Sequence, residues 1–419
     1  MTNYCCPLLH IYQPPTQEPE VLFRINHECY EPLFQMLSRH PNARITLNIN
    51  SVLLDLLAEH KLVRTINLIK QLVENNQIEL MGSGKYHPIV PLIPKKEVNH
   101  QINSHNEDLK KYFGLDVIPK GFFPPELAIS KNALECIAQN DFQWVILSGH
   151  ANRGDWPYNY IQKDENSGLL CFYRDDVISN EISFKKITAP RFVNKLKTMF
   201  KSESSPETYI ITAMDGETFG HHHRNYETEF LGAVLSMIER TDDVKCAFVS
   251  DLIDLFPAKK SPTPKASTWS TSGEDLDANV PYPLWKHPDN AIHKIQYRML
   301  NALYGLMEKL DDVKEKQNEN GEFEKYYQTA RFYYDRALHS CWLWWASQRP
   351  MWSPNLIYKG AHLVTLTALN AQLAIIKARV TAEEYFEIEQ NYEQITDANK
   401  TLLSKLISET ARLNNLRTF

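Results

Sequence analysis

Tyr209-Ile210-Ile211-Thr212-Ala213-Met214-Asp215-Gly216-Glu217-Thr218-Phe219-Gly220 is the stretch that decides how this chain folds. Its first half is apolar and β-branched, which reads as a strand buried on both faces, and an acid stands where that strand runs out. In barrel and doubly wound folds the carboxyl ends of such strands carry the chemistry, so Asp215 is a catalytic candidate by position as well as by type. The competing role is an Asx turn leading through Gly216. The same layout recurs in Gly121-Phe122-Phe123-Pro124-Pro125-Glu126, where the competing role for Glu126 is a helix N-terminal acid after Pro-Pro. Two carboxylates at the ends of different strands suit cleavage of a glycosidic bond.

Working outward from this stretch, short apolar runs alternate with amphipathic ones through the first two-thirds of the chain, the pattern of βα units around a parallel sheet. Strands are expected near Cys5–His10, Arg44–Asn50, Ile78–Ser83, Gly121–Phe123, Trp144–Leu147, Leu170–Tyr173, Tyr209–Asp215 and Lys245–Val249. Helical spacing marks Pro32–Leu37, Ser51–Leu57 and Leu62–Val73 between them. Seven or eight such units suggest a barrel. From Lys259 to Pro283 the texture turns to Lys, Ser, Thr, Pro and Asp, which reads as an ordered loop or linker. Beyond it the period is helical in the blocks Ile292–Glu315, Phe323–Ser347, Leu356–Lys377 and Ala382–Leu413, with Lys314–Gly321 as a helix-to-helix connection. The expected organisation is a catalytic unit over 1–260, a connecting segment near the active site over 261–290, and a helical domain over 291–419.

Composition narrows the function classes. A 419-residue chain with 43% hydrophobic residues fills substantial cores. Its net charge of −6, with Lys and Arg dispersed, gives no electrostatic footprint for nucleic acid or an anionic membrane. No apolar segment approaches the ~18 residues of a membrane span. Seven cysteines without a CxxC pair indicate neither a zinc site nor a disulfide framework. That cysteine usage makes a reducing cytoplasm the expected location, and the strand-like N-terminal stretch shows no basic, then apolar, leader.

Other polar groups fall at expected strand ends. His10 and Gln13 follow the first strand, and His87 follows the third through Gly82-Ser83-Gly84-Lys85-Tyr86, although ordinary turn chemistry would explain each of these. His221-His222-His223 suggests a metal site, but consecutive side chains diverge in either regular conformation, so no metal is expected and one or two of them line a sugar site instead. In the helical region Trp342, Trp344 and Trp345 suit core packing, whereas Arg349 and Trp352 suit a ligand.

Together these segments resemble glycoside hydrolase family 57, and the match covers most of the chain. Tyr12-Gln13-Pro14 is similar to the family's His-Gln-Pro motif, with Tyr12 in the histidine's place and His10 two residues earlier. Gln77-Ile78-Glu79-Leu80, followed by Gly82 to Pro88, resembles the second motif. Gly121 to Glu126 resembles the third, with Phe123 where the family usually has Trp, and Met214 to Gly220 resembles the fourth. A fifth, Trp-containing motif matches Trp285 to Asn290 or the tryptophan cluster up to Trp352.

The resemblance implies an incomplete TIM-like (β/α)7 barrel of the α/β class followed by a C-terminal all-helical domain. It implies a retaining enzyme on α-glucans or oligosaccharides, of the α-amylase or 4-α-glucanotransferase type, without a cofactor. Glu126 would be the nucleophile and Asp215 the general acid/base. His10, Gln13, His87, Glu217, His222, Trp285, Arg349 and Trp352 would bind substrate. A metal-dependent carbohydrate deacetylase and a non-catalytic glucan-binding protein of the same fold are the rival expectations.

Overall fold

The computed structural model describes residues 2–114, 118–198, 207–317, 321–378 and 380–417. The chain divides into two compact units, Met1–Ser272 and Gly273–Phe419. That division falls inside the 261–290 stretch read as a connection.

The first unit contains, among the described residues, ten strands: β1 (Asn3–Ile11), β2 (Ile45–Ile49), β3 (Ile78–Leu80), β4 (Gly121–Phe122), β5 (Trp144–Ser148), β6 (Ile161–Asp164), β7 (Leu170–Arg174), β8 (Thr208–Asp215), β9 (Val244–Cys246) and β10 (Ala258–Ser261). One sheet runs β3-β2-β1-β8, with β9 beside β1; the other runs β10-β6-β7-β5-β4. All pairs are parallel except β6 with β7. The sheets meet at a parallel bridge between Gly82 and Phe122, and on the far side the Asp175 N–H donates to the Ile211 carbonyl at 2.9 Å.

Side-chain alternation builds two apolar layers from the same strands. Cys5, Leu9 and Ile11 of β1, with Ile210 and Met214 of β8, pack outward among helices that include Leu33, Phe34 and Val234. Their neighbours Cys6, Leu8, Ile211 and Ala213 face inward, where Ile146 of β5 and Phe172 of β7 join them. This two-sided burial is why the strands read as continuous apolar runs.

Two strands escape the sequence pattern. β6 and β10 are short and polar, and β10, Ala258-Lys259-Lys260-Ser261, lies at a sheet edge where one side needs no apolar cover. The segment after it is no free linker either: Ser267 pairs with Ile129, whose N–H donates to the Ser267 carbonyl at 3.0 Å.

The second unit is helical, built on Ala291–Lys316, Gly321–Ala337, Pro354–Lys377 and Ala382–Arg417. Asn290 caps the first of these by accepting from the Ile292 and His293 N–H groups. The block expected over Phe323–Ser347 is interrupted: the helix stops at Ala337, and a short turn of helix, Cys341–Trp344, buries Trp342. Of the expected Lys314–Gly321 connection, residues 318–320 lie outside the described residues. No helix among the described residues is long and apolar enough to cross a membrane.

Candidate active site

Parallel pairing fixes which side chains meet at the carboxyl ends of the strands. In register, His10 of β1 stands beside Asn48 of β2 and Asp215 of β8. His10 is buried, and its Nδ1 lies 2.6 Å from Asn48 Oδ1. With that oxygen as acceptor, His10 carries its proton on Nδ1, and its Nε2 accepts from the Nε2–H of His87 at 3.2 Å. The His10 ring stacks on Phe123 at 4.7 Å, and Tyr12 stacks on His87 at 4.0 Å. Burial pushes the His10 pKa down, against an upward pull from the Asp215 charge.

The loops after β3 and β4 bring in His87 and Glu126, which both adopt the left-handed conformation, at φ 58° and 60°. Non-glycine residues there are strained by about 1–3 kcal/mol and persist where surroundings over-determine them. A relay does so here: Asn50 Nδ2 donates to Ser83 Oγ at 3.2 Å, and that hydroxyl donates to the Phe123 carbonyl at 2.9 Å. Glu126 Oε1 lies 4.0 Å from His87 Nδ1, and Oε2 accepts from the Trp269 indole N–H at 2.8 Å. About 20% of the Glu126 side chain is exposed. Burial and the neighbouring Asp215 charge push its pKa up to about 8, and the Trp269 hydrogen bond opposes them.

Asp215 ends β8, and burial raises its pKa while His10 and Arg174 pull it down. Arg174, at the end of β7, is held by the Ala213 carbonyl at 2.6 Å, by Asp176 and by Asn180 at 2.8 Å. The Arg174 charge therefore favours the ionised form of Asp215, whereas the ionised form of Glu126 is favoured by the Trp269 hydrogen bond. Glu217 is a third buried carboxyl. Its Oε1 accepts from the Tyr12 N–H at 3.4 Å, from Gln13 Nε2 at 3.2 Å and from the Tyr30 hydroxyl, and its pKa is pushed up to about 7 by burial and by Asp215.

Glycine is required twice in the loop that holds these acids. A Cβ on Gly216 would overlap the Ile11 side chain, and Gly220, at φ 128°, would drive one into the Glu28 carbonyl.

The expected residues divide accordingly. His10, Gln13, His87, Glu126, Asp215 and Glu217 come together at the strand ends. His222 joins through its backbone alone, its N–H donating to the Glu217 carbonyl at 2.8 Å while its side chain is exposed. Its neighbours turn elsewhere, His221 to Glu28 at 2.7 Å and His223 to the Ser183 carbonyl at 2.9 Å. Among the described residues no group of three or more His, Cys, Asp or Glu is placed to hold a metal ion. Trp285, Arg349 and Trp352 belong to the second unit. There Trp285 is buried, Arg349 pairs with Asp275 at 3.4 Å, and the Trp352 indole N–H donates to Thr410 at 3.3 Å. Sequence reasoning missed Trp269, Tyr30, Arg174 and Asn48. Of these, Asn48 and Arg174 had a signal in plain view, as polar residues closing apolar runs.

The parallel-strand ends of the first unit thus gather three carboxyls and two buried histidines. The sequence model of glycosyl hydrolase family 57 matches residues 8–264, and the chain belongs to that family. It is 25% identical over 225 residues to an alpha-amylase of Pyrococcus abyssi, covering 52% of this chain and 33% of that protein. It is 22% identical over 225 residues to a 4-alpha-glucanotransferase of Thermococcus litoralis, again covering 52% and 33%. The chain thus matches about a third of the length of these curated relatives. The structure of a family 57 branching enzyme from Pyrococcus horikoshii superposes with a TM-score of 0.68 at 14% identity, covering 94% of this chain and 95% of that one.

Proposed function

We propose that this protein is a retaining glycoside hydrolase or transglycosylase acting on α-glucans, of the α-amylase or 4-α-glucanotransferase type, working in the cytoplasm without a cofactor. One observation carries the reading: Glu126 and Asp215, from the ends of two different strands, flank one buried histidine pair, Asp215 in register beside His10 and Glu126 4.0 Å from His87, whose ring lies 3.2 Å from that of His10. Family membership and both kinds of curated relative support the choice of α-glucan. We take the two sheets, joined at Gly82 and Asp175, as the incomplete (β/α)7-type barrel, with 1–260 as the catalytic unit, 261–290 as the connection and 291–419 as the helical domain.

Glu126, ionised, attacks the anomeric carbon, and Asp215 donates its proton to the departing glycosidic oxygen. The glycosylated Glu126 is neutral, so Asp215 ionises readily and activates the incoming water or sugar hydroxyl. Attack thus needs Glu126 ionised and Asp215 protonated in the same complex. Glu217, with Oε1 held by three donors, presents its other oxygen to the sugar. His10, Gln13, His87 and His222 orient hydroxyls around the reacting ring, and Trp285, Arg349 and Trp352 are the proposed sugar-binding residues of the second unit. Incubation with maltooligosaccharides and inspection of the product ladder tests this: products longer than the substrate mean transfer, and shorter ones alone mean hydrolysis. An unchanged substrate would overturn the reading.

A further inference from the structure

We infer that Trp269 is a positioning residue for Glu126, its indole N–H holding the carboxylate form of that side chain and leaving Oε1 as the attacking atom. The inference rests on Glu126 being the nucleophile and adds a residue to that role.

Two hydrogen bonds join the same pair of residues. The Trp269 backbone N–H donates to the Glu126 carbonyl at 3.1 Å, and the indole N–H donates to Glu126 Oε2 at 2.8 Å. With the Ser267–Ile129 pairing beside them, the 267–269 stretch clamps the 126–129 loop along its length. The clamp is itself locked: the Thr268 N–H donates to Thr271 Oγ1 at 2.8 Å, and the Ser270 N–H donates to Thr268 Oγ1 at 3.2 Å. Glu126 and Leu127 hold the left-handed conformation at φ 60° and 49°, and the first of them has its carbonyl fixed by Trp269.

The indole ring is fixed from its other sides as well. It meets Phe123 edge-on at 6.1 Å and His10 at 6.0 Å, and the Arg174 guanidinium lies 5.8 Å above it. A rotamer held this way aims its N–H without further ordering. Trp has one polar atom, a donor, so it can stabilise a carboxylate and offers nothing to a proton on that oxygen. The other charged or titratable groups facing the site are His87 across from Oε1, Asp215, His10, Arg174 and Glu217. Among the described residues, Trp269 is the side chain that donates a hydrogen bond to Glu126.

The consequence follows from the shared proton. Reaction requires Glu126 ionised and Asp215 protonated, so the active fraction depends on the two proton affinities. The Trp269 N–H favours the ionised Glu126. Losing a hydrogen bond to a charged group raises the Glu126 pKa by about one unit. That moves the limb of the kcat/KM pH profile set by Glu126 up by about one unit.

The test measures Trp269→Phe and a variant carrying benzothiophene in place of the Trp269 indole, which keeps the shape and removes the N–H. Each is followed by the pH profile of kcat/KM on maltooligosaccharides and by the carboxyl 13C titration of Glu126, assigned by difference from Glu126→Gln. The expected result is the same upward shift in both measurements and both variants. A lowered plateau with unmoved limbs and an unmoved Glu126 midpoint would overturn the inference, because that is what merely loosened packing produces. The carboxyl titration needs no turnover. A shifted midpoint without any change in turnover would therefore uphold the Trp269 contact and overturn the nucleophile role of Glu126.

Discussion

The amino and carboxyl ends of the first unit's strands treat buried polar groups in opposite ways. Thr46 and Asn48 lie two positions apart on β2 and both are fully buried. Near the amino end Thr46 donates to Glu79 at 3.0 Å and accepts from the Val249 N–H at 3.0 Å, and Ser250 also binds Glu79, so the hydrogen bonds close within the protein. Near the carboxyl end Asn48 meets His10, its Nδ2 has no partner among the described residues, and three carboxyls face one another. Burial and the Asp251 charge raise the Glu79 pKa as well, but hydrogen bonds from Ser250 and Thr46 oppose that rise. Among the described residues Glu126 has the Trp269 donor alone against burial and the Asp215 charge, and is the more strongly destabilised as a charge.

The contrast breaks if the two ends respond alike to substitution. The largest expected effect is on turnover: Glu126→Ala and Asp215→Ala each lose on the order of 10²–10⁴-fold in kcat. Azide restores Glu126→Ala by forming a glycosyl azide of inverted configuration, which product analysis would detect. Near wild-type turnover in either variant removes that residue from its role.

Stability gives the next effect, with the opposite sign to the usual mutation. The folded-state pKa of Glu126, about 8, lies above its unfolded value near 4.3, so its contribution is fully present below pH ~4.3 and is lost as pH rises through 8. Glu126→Gln removes that loss. It should melt higher than the wild type at pH 8, by about 5 °C for a gain of ~2 kcal/mol, with the gap closing near pH 4. A constant difference across this range would contradict the assigned ionisation. At the amino end Thr46→Val should lower stability by about 1–2 kcal/mol and leave kcat unchanged, as read by denaturant melts beside initial rates. The smallest effect is expected from chelation. Because His221 and His223 turn to Glu28 and Ser183, EDTA should leave turnover where it was, and a chelator-sensitive rate restored by a divalent ion would favour the deacetylase alternative.

What the sequence determined by itself is local. Apolar runs such as Tyr209–Met214 mark strands buried on both sides, and an acid at the end of such a run is placed by chain direction alone. That was enough to single out Asp215 and Glu126, and the helical period beyond residue 291 was enough for the second unit. The edge strand Ala258–Ser261 left no such trace, since one open side frees its residues from being apolar.

What only the tertiary structure decided is which distant residues complete the site. Trp269 lies 143 residues from the carboxylate it serves, in a stretch whose Ser and Thr content reads as a linker, and Tyr30 lies 187 residues from Glu217. Ionisation belongs to the same class. Neither Glu126 nor Asp215 carries a mark in the sequence that says which holds the proton, because burial, the Asp215 charge, His10 and Arg174 set that balance through space.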